Sequence, residues 1–258
     1  MLTLNEIVKQ FPPNLQPFRR NILREYLQCK ILELIFGSEQ APKLSFIGGT
    51  ALRLVYDQTR FSEDLDFDNF GLAAEEFDLL AEHVRGGLAA EGLAVEMDTV
   101  AKGAYRCNVR LPKLLFDNDL SAYPTEKILI QIDTVAQVFA YQPDRKILNR
   151  FDVFSEILVT PASLLLSQKF FAAINRKRAK GRDFYDIVFL LSFAKPDFAY
   201  LAQKIGAGDA DSLREKMLEA MAGLDFAELA RDVEPFLFNP SDKKKVELFP
   251  TFIAQAKL

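Results

Sequence analysis

Between residues 15 and 36 the apolar positions Ile22, Leu23, Tyr26, Leu27, Ile31 and Leu34 fall near a 3.6-residue period, which predicts a helix ending at the turn-forming stretch GSEQAPK. The period then changes. The short apolar run LSFIGG reads as a buried strand closing in a tight turn, TALRLVYD as a helix leaving that turn, and EDLDFDN as the next strand. Residues 73 to 90 return to helical spacing, and LAVEMDTV, AYRCNVRL and EKILIQIDTV have the alternating or β-rich character of further strands, so a mixed sheet is expected. From ILVTPASLLLSQKFFAAINRKR onward the chain reads as helices over roughly 161–178, 183–194, 197–205 and 211–222, then a polar NPSDKKK break and a last short helix. The change of pattern sets a boundary near 155: an α/β core with N-terminal helical support over 1–155, then a helical domain over 156–258.

Composition narrows the class. With 258 residues, 49% hydrophobic, the chain has enough apolar material for a substantial core. The net charge of −4 argues against a wholly basic surface, so any nucleic-acid contact must come from a local patch. Cys29 and Cys107 are too few for a disulfide framework, lack zinc-ligand spacing and have only His83 to join them, which fits a reducing cytoplasmic setting. The N-terminal stretch MLTLNEIVKQFPPN has no long apolar core, and no window approaches the roughly 18 apolar residues of a membrane span; neither secretion nor a membrane partner is expected.

Candidate chemistry concentrates in residues 46 to 70. A strand alternates its side chains, so Asp64 and Asp66 share one face while Leu65 and Phe67 share the other, apolar one. Two carboxylates that close need a proton or a cation between them, and hard oxygen donors suit Mg²⁺. Upstream, Gly48 and Gly49 remove side chains from a turn whose backbone N–H groups, at the start of a helix, can meet a polyphosphate, with Thr50 adding a hydroxyl. A third carboxylate is Asp133, which shares a strand face with Gln131 opposite Ile130 and Ile132. Three acids and a phosphate cradle suit two-metal phosphoryl or nucleotidyl transfer. Each piece also has an ordinary reading, the glycines as a plain turn and the aspartates as solvated strand ends. Their combination in the order strand, glycine turn, helix, strand is the more specific signal.

At this point GGTALRLVYDQTRFSEDLDFD resembles the signature of the AbiEii/AbiGii-type nucleotidyltransferase toxins, a branch of the polymerase-β-like nucleotidyltransferase superfamily. KFFAAINRKRAKGRDFYDIVFLL and the PFLFNP region are similar to that family too, so the resemblance runs over most of the chain. It implies a polymerase-β-like core with a mixed sheet and a C-terminal helical domain, nucleoside triphosphate held at Gly48, Gly49 and Thr50, and metal at Asp64 and Asp66. Arg60 and Ser62 fall where the family shows an arginine and a serine, although Arg60 is equally placed for an ion pair with Glu63 or Asp64.

The second quoted segment carries Lys169, Arg176, Lys177, Arg178, Lys180 and Arg182 with no acid before Asp183. That is a concentrated basic face for an acceptor, or else a solvated helix end stopped by Gly181. Lys169 lies inside an apolar helix where its ammonium can reach phosphate oxygens or snorkel to solvent, and the family has an activity-linked lysine here. Asp183 and Asp186 are three apart; Asp183 suits an N-cap and Arg182 a local pair with Asp186, while the resemblance makes GRDFYD functional and favours Asp186 as the carboxylate that orients Lys169. Phe170, Phe171, Phe184 and Phe189 are assigned to packing and His83 to a helix surface.

The expectation is a nucleotidyltransferase, with a site in the cleft between the domains and two Mg²⁺ ions. It moves a nucleoside monophosphate to an acceptor hydroxyl. By resemblance the acceptor is RNA, a tRNA 3′ end among the candidates, and the protein a toxin restrained by a cognate antitoxin. A small-molecule nucleotidyltransferase with a closed acidic acceptor pocket, and an inactive nucleotide- or partner-binding relative, are the alternatives.

Overall fold

The computed structural model describes residues 1–102 and 104–258, which divide into two compact units. The first comprises Met1–Asp57 and Phe61–Val159. It opens with α1 (Leu4–Val8), whose Thr3 and Glu6 form a reciprocal capping box, and α2 (Arg19–Phe36). The helix expected from residue 15 starts later. Leu15 and Phe18 are held in successive turns, Leu15 N–H on Pro12 and Phe18 N–H on Leu15, in a stretch whose three prolines deprive it of helical donors. From α2 the side chains of Ile22, Leu23, Tyr26, Leu27 and Ile31 are fully or almost fully buried.

After α2 come β1 (Leu44–Ile47), α3 (Gly48–Val55), β2 (Leu65–Asn69), α4 (Ala74–Ala90), β3 (Glu96–Lys102), β4 (Ala104–Pro112), a single helical turn α5 (Leu114–Asp117), β5 (Lys127–Ala136), β6 (Asp144–Arg150) and β7 (Val153–Val159). The strands make one seven-stranded mixed sheet in the order β3-β4-β5-β2-β1-β7-β6. β2 runs parallel to β5 and β1 parallel to β7, while the β1–β2, β3–β4, β4–β5 and β6–β7 pairs are antiparallel. The inward set alternates as the sequence predicts: Leu65 and Phe67 on β2 and Ile128, Ile130 and Ile132 on β5 are at most 3% exposed.

The hairpin β6–β7 is the main departure from the sequence reading. β6 is an edge strand that buries only Leu148 while Ile147 is exposed, and on β7 Phe154 is exposed, so the hairpin's apolar residues do not mark one face. The boundary expected near 155 falls inside β7, and the first unit continues to Val159 because β7 pairs with β1 through Phe46 and Val159.

The second unit comprises Thr160–Leu258 together with Gln58–Arg60. Its helices are α6 (Ala162–Asn175), α7 (Gly181–Leu190), α8 (Phe198–Ile205), α9 (Ala210–Met221), α10 (Phe226–Val233), α11 (Lys244–Glu247) and α12 (Phe249–Gln255). Phe184 packs edge-on to both Phe226 and Phe249, with ring centroids 5.1 and 4.9 Å away, which joins α7, α10 and α12 in one core. The Gln58–Arg60 segment is tied in by a backbone bridge from Arg60 to Leu237 and by Phe238 N–H donating to the Thr59 carbonyl. Gly181 does not stop a helix; it begins α7. A β-carbon there would lie 1.9 Å from the Leu229 carbonyl oxygen of α10, so glycine lets the two helices approach. Among the described residues no helix is long and apolar enough to cross a membrane.

Candidate active site

The first unit brings its acidic residues together through strand register. Asp66 lies directly opposite Asp133 across the parallel β2–β5 pair, so the two carboxylates leave the same face of the sheet, and Asp64 immediately precedes β2. All three are half-buried. On the other flank of β2, Ile47 is the register partner of Asp66, which places the glycine turn next to that carboxylate. Gly48 has φ +79°, and a β-carbon on it would stand 2.3 Å from Asp66 Oδ2. Both facts require glycine, and both arise because α3 springs from β1 beside the acidic strand. Gly49 is buried in the first turn of α3.

Thr50 is fully buried, and its hydroxyl donates to the Asp64 backbone carbonyl. It therefore fastens α3 to the residue ahead of β2 and fixes where the aspartates stand. Ser62 is half-buried and its carbonyl accepts from Gln28 Nε2 at 3.1 Å. One residue of this face escaped the sequence reading. Arg106 on β4 is the register partner of Asp133, and its Nε and Nη2 donate to the two oxygens of that carboxylate at 2.7 and 3.1 Å. The pair borders a hollow of about 310 Å³ whose other walls are Val100, Ala104 and Val135.

Asp66 and Asp133 on one side of two adjacent strands, with Asp64 just ahead of β2, are hard-oxygen donors of the kind Mg²⁺ takes, and the side-chain-free Gly48 leaves room for the Asp66 carboxylate. Among the described residues, however, no three acidic or other ligating side chains converge on one point. The residues fit a divalent cation through Asp64 and Asp66, with Asp133 in register but engaged by Arg106.

The second unit holds a buried charge cluster centred on Asp186, which is fully buried, as Arg60 is to within 2%. Arg60 donates through Nε and Nη2 to the two Asp186 oxygens, each at 2.7 Å, in the bidentate geometry that favours arginine over lysine. Gln58 Nε2 donates to Asp186 Oδ1 at 2.6 Å, and Lys169 Nζ lies 2.8 Å from Asp186 Oδ2 and 3.4 Å from Asp183 Oδ1. Arg176 Nε stands 3.1 Å from the other Asp183 oxygen. Burial alone would raise the Asp186 pKa, but the charges of Arg60 and Lys169 outweigh it and hold the carboxyl well below its usual range. Lys169 and Arg60 move the opposite way. Burial disfavours their charge, yet Asp186 and then Asp183 raise both pKa values.

Several expectations change accordingly. Arg60 forms a bidentate ion pair with Asp186, 126 residues away. Asp183 is not the N-cap of α7, a position Lys180 occupies, but a buried acid in its first turn. Arg182 lies over the Phe236 ring, 4.6 Å from its centroid. Arg176, Lys177, Arg178 and Lys180 are exposed in the connection between α6 and α7, because Arg176 leaves helical geometry with ψ 131°. Phe170 and Phe184 are buried, Phe171 and Phe189 half-buried, and His83 exposed on α4.

A mixed sheet with a glycine turn set against an acidic strand, followed by helices, is the architecture of a nucleotidyltransferase. The model of the family described as nucleotidyl transferase AbiEii toxin, type IV TA system, matches residues 31–249, and the chain belongs to that family. It is thus a nucleotidyltransferase toxin of a type IV toxin-antitoxin system, with nucleoside triphosphate as substrate and an antitoxin as counterpart. Among solved structures the chain is similar to MenT4, a nucleotidyltransferase toxin from Mycobacterium tuberculosis H37Rv, at 15% identity and a TM-score of 0.57, covering 100% of this chain and 91% of that one. It is also similar to JHP933 from Helicobacter pylori, at 17% identity and a TM-score of 0.55 over 91% of each chain. At such identity these two report the fold. No curated protein matches.

Proposed function

We propose that the enzyme transfers a nucleoside monophosphate from a triphosphate to an RNA hydroxyl, using Asp64, Asp66 and Asp133 as ligands for Mg²⁺, two ions in all. The acceptor oxygen forms a bond to the α-phosphorus, the bond to the bridging oxygen breaks, pyrophosphate leaves, and the hydroxyl proton passes to a carboxylate of the cluster. When bound, the metal neutralises triphosphate charge and lowers the acceptor hydroxyl's pKa. The observation that carries the reading is the contact of Gly48 with Asp66: a glycine turn at the start of a helix, able to offer bare backbone N–H groups to phosphate, stands against the acid in register with Asp133.

The remaining residues take supporting parts. Gly48 and Gly49 receive the triphosphate at the start of α3, while Thr50, turned to the Asp64 carbonyl, positions rather than touches it. Lys169 is the cation assigned to phosphate, with Asp186 and Asp183 holding its ammonium charged. Arg60 and Gln58 are positioning residues that hold Asp186. Arg176, Lys177, Arg178 and Lys180, exposed in one connection, give the RNA path, with a tRNA 3′ end as the specific acceptor. Arg182 contributes beside them.

Incubation of the purified protein with each labelled triphosphate, Mg²⁺ and total RNA tests this directly. Label should enter RNA from one preferred triphosphate, and Asp66→Asn should abolish it. Label entering only small molecules would replace RNA by a metabolite acceptor, and unaltered transfer by the variant would remove the metal assignment.

A further inference from the structure

The Arg106–Asp133 pair is not explained by stability. It joins side chains directly opposite on neighbouring strands, with Arg106 about half exposed, and ion pairs of that kind contribute little. Its surroundings are more informative. Across β5 from Arg106 stands β2, with Asp66 opposite Asp133 and Asp64 just ahead of the strand. One cation therefore sits at the edge of three like-charged carboxylates. The contrast with Arg60 is sharp: that arginine is 2% exposed on a carboxylate with no exposure, a pair that cannot open without stranding buried charge. Arg106 can leave Asp133 toward solvent or into the adjoining 310 Å³ hollow without such a penalty.

We propose that Arg106 is a built-in counterion of the acidic cluster, occupying Asp133 in the metal-free protein and ceding it when a divalent cation enters. The inference rests on the assignment of Asp64, Asp66 and Asp133 as metal ligands and adds a competitor to it. Arg106 is then a positioning residue that sets metal affinity: a dication must displace a tethered monocation before the third carboxylate can turn to it.

Mn²⁺ binding, followed by electron paramagnetic resonance or calorimetry with no nucleotide present, tests the idea in the full-length protein. Arg106→Gln keeps a polar side chain on β4 and removes the competing charge; Mn²⁺ should bind roughly three- to tenfold tighter. Arg106→Lys, which keeps the charge, should stay near the unaltered protein. In EDTA the Gln variant should melt slightly lower, and added Mg²⁺ should raise its melting temperature by more than it raises that of the unaltered protein. Unchanged or weaker Mn²⁺ binding by Arg106→Gln overturns the counterion role while leaving the ligand assignment standing, provided Asp66→Asn still weakens binding. Should Asp66→Asn bind Mn²⁺ as well as the unaltered protein, the ligand assignment fails and the inference falls with it.

Discussion

Two aspartates of similar sequence appearance are set apart by what surrounds them. Asp66 is half-buried among other acids, so Asp66→Asn should abolish transfer while leaving unfolding free energy unchanged or slightly higher, because one like charge is removed. Asp186 is fully buried between Arg60 and Lys169, and Asp186→Asn should cost about 3–5 kcal/mol in urea unfolding by leaving two buried cations short of their partner. The sign of the pH dependence follows from the depressed Asp186 pKa. Its contribution is complete above the ordinary carboxylate value near about pH 4 and is lost as pH falls toward the lower folded value. Urea unfolding between pH 7 and 3 should therefore show an acid loss of stability that is smaller in Asp186→Asn; equal slopes would remove this account. Sequence spacing could reveal Asp64, Asp66 and Gly48, because a glycine turn and alternating acids are local patterns. It could not reveal that Arg60 closes on Asp186 or that Arg106 faces Asp133, since the first joins residues 126 apart and the second depends on which strands pair.

At the level of elements, glycine separates close approach from mere composition. Gly181→Ala adds a methyl group 1.9 Å from the Leu229 carbonyl oxygen, forcing α7 away from α10, and should destabilise the protein by about 1–3 kcal/mol despite alanine's better helix propensity. Gly86 lies exposed on α4 with nothing within 4 Å of an added β-carbon, so Gly86→Ala should instead stabilise by about 0.4–1 kcal/mol. Thermal unfolding of the two variants should move in opposite directions; a shared direction would show that propensity, not packing, governs both. Elements with one clear period were legible in the sequence, as β1, α3, β2, α4 and β5 were. β6 hid because an edge strand needs to bury only Leu148. α10 is a different case: Phe226, Leu229, Ala230 and Val233 carry a helical period, and the structure shows Asp225 capping it through the N–H groups of Ala227 and Glu228. That signal was present in eight residues too brief to stand out beside longer neighbours.

For the molecule as a whole, the proposed RNA acceptor would have to be held by an enzyme of net charge −4. Global attraction does not supply it, so a local concentration of cations must, and four basic side chains exposed between α6 and α7 form one. They are not equivalent. Arg176 already lies 3.1 Å from Asp183, in the cluster that holds Lys169, whereas Lys177, Arg178 and Lys180 are the residues whose charge is best placed for phosphate. Neutralising those three should weaken RNA binding and reduce the slope of log affinity against log salt by up to about 0.7 for each single-strand phosphate no longer neutralised, with nucleotide binding nearly unchanged. Arg176→Gln should have the smaller effect on the salt slope, because its charge is partly committed within the protein. Lys169→Ala should do the reverse of the triple variant, lowering turnover while RNA affinity and its salt slope hold. Filter binding of labelled RNA across a salt series, run beside single-turnover transfer, separates these outcomes. A triple variant whose RNA affinity and slope match the unaltered protein would move the acceptor path off this connection and strengthen the case for a small-molecule acceptor.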